Sequence, residues 1–118
     1  MDNRHDEALR GLEFYKQDLI ILQQRLQEVA EKNTALDVRR SIEHFQNQFI
    51  IQRNNIDELR HKVNEQVQLL SKDVQLHEGR VEKQLLEEEE QLDAEYRQLE
   101  KIINELRQEF NTFLSKWM

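Results

Sequence analysis

The last quarter of the chain carries the feature that most restricts its fold. Leu92, Tyr96, Leu99, Ile103, Leu106, Phe110, Phe113 and Trp117 follow one another at alternating steps of four and three residues. That spacing puts all eight side chains on one stripe of an α-helix, the a/d seam of a heptad repeat. A strand would throw neighbouring members onto opposite faces. Each large apolar side chain gains roughly 1.5–3 kcal/mol on leaving water, so the seam must be covered, and a lone helix cannot cover itself. Other helices, from this chain or another, have to do so.

Two upstream stretches have matching seams. Leu12, Tyr15, Leu19, Leu22, Leu26 and Val29 hold one heptad phase, which extends back through Ala8 to His5. Val38, Ile42, Phe45, Phe49, Ile56, Leu59 and Val63 hold a second, with Gln52 at an otherwise apolar position. After Val63 the next apolar residues are Val67, Leu70 and Val74, and the extra step of four predicts a local unwinding of the supercoil. Breakers are scarce: proline is absent, and the only glycines are Gly11 and Gly79. Gly11 sits beside the first seam and is expected to cost about 1 kcal/mol relative to alanine without stopping the helix.

The turns are read from end signals. Asn33 suits a left-handed helix terminator, and Thr34 is the expected N-cap of the next helix, with Asp37 as an acidic partner three residues on. His77-Glu78-Gly79 is the clearer punctuation, a glycine after a long periodic run with a histidine in the last turn. The alternative is a helix running unbroken through Gly79, about 126 Å long at about 1.5 Å per residue.

With both turns in place the expected fold is all-α: an antiparallel three-helix up-down-up bundle or coiled coil, with helices at about 3–32, 35–77 and 80–117. Folding the chain at each turn sets the same layers: Leu12/Ile56/Ile103, Leu19/Phe49/Phe110, Leu22/Phe45/Phe113 and Leu26/Ile42/Trp117. By the same arithmetic His5 falls near Tyr96, and helix 1 ends its cover near Val63. The expected organisation is therefore a single helical domain over 1–118. Its body is 1–65 plus 92–118, and 66–91 form a protruding two-helix tip. Gln66, Asp73 and the run Glu87 to Glu90 interrupt the seams in that tip.

Composition agrees with long helices and narrows the functions. Charged residues make up 35% and the net charge is −7; the acidic excess is greatest in residues 79–118, with ten acids against six bases. The longest Lys/Arg run is Arg39–Arg40, so a phosphate-tracking footprint is missing and no nucleic-acid partner is expected. Without cysteine there is no disulfide or thiolate chemistry, which fits a cytoplasmic protein. The opening residues lack an apolar signal core, and no membrane association is expected.

Few constellations invite chemistry. Glu58-Leu59-Arg60-His61 has the E-x-x-H spacing of ferritin-like carboxylate sites, but Leu59 faces the seam and turns Glu58 and His61 outward. His44 is expected on the surface. Glu87 to Glu90 lie on consecutive residues and so point around the whole helix rather than at one ion. No enzyme, cofactor or metal is expected. The more informative surface is apolar and off the seams. Phe14, Ile20 and Ile21 on helix 1, with Ile50 and Ile51 on helix 2, fall at about the same height and form the candidate partner interface.

In size and order the three helices resemble spectrin-type repeats. The likeness is architectural: the tryptophan expected in the middle of the first helix is missing, since the only one is Trp117, and there is no tandem copy. The expected function is a non-enzymatic coiled-coil assembly protein that self-associates through the off-seam patch, its partner being a second copy of itself. The alternative is an adaptor or small acidic chaperone that binds a helix of another protein, and a metal-binding bundle is a third reading.

Overall fold

The computed structural model describes residues 4–76 and 83–117, with the backbone alone for 73–76. Three helices make up almost all of them: α1 Arg4–Lys32, α2 Leu36–Leu76 and α3 Lys83–Trp117. They pack as an up-down-up bundle measuring 64 × 18 × 17 Å. The long dimension is that of α2, whose 41 residues span about 62 Å at about 1.5 Å each.

The three seams meet in one core. Leu12, Leu19 and Val29 of α1, Val38, Phe49 and Ile56 of α2, and Ile103 and Phe110 of α3 have no exposure to solvent. Two of the expected layers are visible as ring contacts. Phe49 meets Phe110 edge-on at 5.2 Å between centroids, and Phe45 meets Phe113 at 5.2 Å. Leu114 and Trp117 pack partly buried on the same cluster. Because Phe113 lies against Phe45 and Phe110 against Phe49, α3 runs back along α2. The turn assigned to His77-Glu78-Gly79 lies outside the described residues.

Local details depart from the sequence expectations in three places. The four-residue step from Val63 to Val67 is not used. Leu59, Val63, Gln66 and Leu70 are the buried residues, and Val67 stands exposed, so α2 keeps its heptad phase and turns a polar side chain inward. It does so because Gln66 Nε2 donates to the backbone carbonyl of Leu85 at 2.8 Å, which offsets the cost of taking the amide out of water. The same phase followed backwards along α3 buries Glu89 out of the acidic run. His5 Nε2 stands 3.3 Å from Glu89 Oε1, an ion pair when the imidazole is protonated, without hydrogen-bond alignment.

The second departure concerns Tyr96, expected beside His5. It lies instead over Gly11, where the β-carbon of any other residue would coincide with the Tyr96 hydroxyl. The glycine thus makes room for the ring, and any larger residue would have to displace the Tyr96 side chain.

Third, the cap of α2 comes from a different residue. Arg39 N–H bonds to the carbonyl of Ala35, so Ala35, not Thr34, occupies the N-cap position and has no side-chain acceptor to offer. Asp37 supplies one: its Oδ1 accepts the Val38 N–H at 2.9 Å, and its charge sits at the positive end of the helix dipole. At the other side of the turn Asn33 Nδ2 donates to the Val29 carbonyl at 2.9 Å. Asp37→Ala should therefore lower unfolding free energy by about 1 kcal/mol while Thr34→Ala changes it by less than about 0.5 kcal/mol, read from urea midpoints at fixed slope. Equal losses would return the cap to Thr34.

The His5–Glu89 contact sets α1 level with Gln66. Past that level α2 continues to Leu76, and α3 has already begun at Lys83, so these two helices run on beyond the described start of α1.

Candidate interaction surface

Three helices make three outer faces, and the residues that reach across identify each one. Between α1 and α2, Lys16 meets Asp57 at 2.9 Å, Arg60 meets Glu13 at 2.6 Å, and Arg53 donates to Gln23 at 3.0 Å. Between α1 and α3, the Tyr15 hydroxyl donates to Glu100 at 2.8 Å, Arg107 clasps Asp18 through Nε at 2.9 Å and Nη2 at 2.6 Å, and Arg97 reaches Glu7 at 3.3 Å. Between α2 and α3 the described side-chain bridges are Lys62 to Glu95 at 3.4 Å and the inward Gln66 bond.

These contacts set the electrostatics. Burial pushes Tyr96 up to about 12, with the nearby Glu100 carboxylate adding to it. Tyr15 is raised for the same first reason and by its hydrogen bond to Glu100. A hydrogen bond from Gln17, assisted by Arg60, holds the exposed Glu13 carboxyl below its usual value. Glu7 raises the Arg97 guanidinium.

The five apolar residues expected to form one patch are distributed over all three faces. Residues three, four or seven apart share a helix face, which lets the bridges above place each one. Ile20 follows Lys16 by four and precedes Gln23 by three, so it belongs to the α1–α2 face; Ile50, three before Arg53 and seven before Asp57, belongs there too. Phe14 and Ile21 flank Asp18 and lie seven and fourteen residues past Glu7, on the α1–α3 side. Ile51 lies four before Asn55 and seven before Glu58, both of which line the α2–α3 groove. Phe14 is 58% exposed, Ile21 49%, Ile50 44% and Ile51 46%, while Ile20 is half-buried. The structure therefore brings Ile20 and Ile50 onto one face, keeps Phe14 with Ile21 on another, and sets Ile51 apart.

A surface feature that the sequence reading missed is a groove between α2 and α3. A hollow of about 400 Å³ is lined by Asn55, Glu58, Leu59, Lys62, Ala94, Leu99 and Ile102 among others. It continues past Lys62, Gln91 and Glu95 into a second of about 250 Å³ at Glu65, Leu69, Glu88 and Leu92. Ala94 and Ile102, small or apolar residues beside the α3 seam, are its sequence trace, but which gap they face is fixed only by the placement of α2.

The histidines are dispersed. His61 pairs with Glu65 one turn on, at 2.8 Å on the solvated side of α2, and His44 lies edge-on to Phe45. Glu58 lines the α2–α3 groove rather than joining His61. Among the described residues no three His, Asp or Glu side chains are grouped to hold a metal ion, and no described helix is long and apolar enough to cross a membrane. No protein-family model, no curated protein and no solved structure matches this chain.

Proposed function

We propose that this chain is a non-enzymatic helical interaction module, an adaptor or small acidic chaperone that binds a helix of another protein. One observation carries the reading: the three seams close on one another within a single chain, burying Leu12, Leu19, Phe49, Ile56, Ile103 and Phe110 completely. The core needs no second copy, and what is left to do lies on the outside of the bundle. The non-enzymatic part rests on the chemistry of that outside. Its histidines stand apart and its grooves are lined mainly by Glu, Gln, Lys and aliphatic side chains. In this reading α1 and the parts of α2 and α3 beside it act as the body, and the ends of α2 and α3 past the His5–Glu89 contact project from it, in a cytoplasmic setting that suits a fold held without disulfides.

A second reading, self-association, is favoured by one pairing: Ile20 and Ile50 share the α1–α2 face, so two copies can bring these residues together. Light-scattering mass across a concentration series separates the two. The adaptor reading expects 14.4 kDa throughout. A mass that doubles with concentration, and that Ile20→Glu with Ile50→Glu returns to the monomer value, would replace it with self-association.

A further inference from the structure

The three faces of the bundle are not equivalent. Along both faces that include α1 the described bridges are several, among them the ion pairs Lys16–Asp57 and Arg60–Glu13 on one and Arg107–Asp18 and Arg97–Glu7 on the other. The α1–α2 face has hollows at its turn end, around Ala30 and Ile42, whereas the α2–α3 face has a groove along its middle, crossed by Lys62 and Glu95. Its apolar surface runs its whole length: Ile102 near one end, Leu59 and Leu99 in the floor, Leu69 and Leu92 near the other. Its rim is charged in one sense. Glu58, Glu65, Glu88 and Glu95 border it, against Lys62 alone.

We infer that the α2–α3 groove seats an amphipathic helix of a partner protein, its apolar stripe on the groove floor and Lys or Arg residues along both edges of that stripe. This rests on the adaptor reading and names the class of partner. The length fits: from Ile102 to Glu88 the groove follows fourteen residues of α3, about 21 Å, which matches about four turns of a docked helix. The floor fits, because an apolar stripe at i, i+3, i+4 and i+7 is what a fourth helix offers to the gap between two others. The charge selects among helices. Carboxylates on both edges attract a basic flank and repel an acidic one, so the rim discriminates between partners as well as speeding encounter. A second copy of this chain is the poorer occupant, because its net charge is −7 and the same face would set acid against acid. Lys62 holds at mid-groove the place that a partner cation takes, leaving Glu95 to that cation.

The test is selection from a displayed library of amphipathic helices about 18 residues long, with the apolar stripe fixed and the flanking positions varied among Lys, Glu, Gln and Ala. Recovered binders should be enriched in Lys at the flanks and should weaken about tenfold or more in high salt. Ala94→Arg, at an exposed groove position, should cost them at least about tenfold in affinity with an unchanged melting curve. Glu58→Gln with Glu65→Gln should weaken the Lys-flanked binders and flatten their salt dependence without affecting Gln-flanked ones. Binders without Lys enrichment, or binders lost to Ile50→Arg and indifferent to Ala94→Arg, would overturn the groove assignment while leaving the adaptor reading intact. Recovery of no binder at all would overturn both.

Discussion

Phe110→Ala should lower the free energy of unfolding by about 3–5 kcal/mol, the largest effect of any single truncation in the bundle. Phe110 has no exposure to solvent, and its ring lies 5.2 Å from those of Phe45 and Phe49 and 6.0 Å from Phe113. Truncation removes the transfer gain of a large ring, the edge-on contacts it makes, and the support of three neighbours that cannot collapse into the space without leaving their own seams. For a chain of this size the loss is a large share of a total stability of roughly 5–15 kcal/mol, and the melting temperature should fall by roughly 10–20 °C. The control is Phe14→Ala. Phe14 is the same residue type in the same kind of helix, yet it is largely exposed, so its loss should stay near 0.5 kcal/mol. Similar midpoints for the two variants in urea would mean that Phe110 is not at the centre of the core.

The second large effect is alkaline. Tyr96 is held neutral by burial, with a folded-state value of about 12 against an ordinary 10.0. The folded value lies above the unfolded one, so the unfolded chain gives up the phenolic proton first. The stability linked to this group is whole below pH 10 and is lost as pH rises from about 10 to about 12, by roughly 2–3 kcal/mol. Tyr15 shifts in the same direction and steepens the fall. Urea midpoints measured from pH 8 to pH 12 for the native chain and for Tyr96→Phe isolate the contribution, since other groups titrate in both. The gap between the two curves should change by that amount across the window. A constant gap would show that the Tyr96 hydroxyl ionises as freely in the bundle as in water, and the close approach to Gly11 would then have to be looser than described.

The seams were legible because burial in a helix bundle follows spacing. Every apolar seam residue from Leu12 to Val29 is buried, and the aromatic layers of α2 and α3 met as the turn arithmetic required. What was not legible depended on neighbours. Val67 is the better apolar residue and Gln66 the better positioned one, and only the Leu85 carbonyl across the gap decides between them. Thr34 is a good capping residue that falls one position early, a distinction set by where the backbone bonding begins. The apolar patch failed to assemble for a related reason. A helical wheel says that Phe14, Ile20 and Ile51 are off the seam, but which flank each occupies has meaning only once the other two helices are placed. The α2–α3 groove needed the same knowledge. Its floor comes from residues forty positions apart, such as Leu59 and Leu99, and neither seam alone predicts a gap.

His5, Gln66 and Glu89 gather at one end of a structure whose seams are elsewhere apolar except at the buried Gln52. A repeat of seven can be slid by seven and still match Leu to Leu, so such a bundle has translational freedom written into its design. The polar layer removes it. Slipping α3 by one heptad would carry Glu89 away from His5 and take the Leu85 carbonyl from Gln66, leaving buried polar groups without partners. These three residues, with the buried Gln52 further along α2, thus act as fixed marks on a ruler whose other graduations are mostly apolar. Replacing them with leucine would deepen the core while giving the helices more than one place to stop.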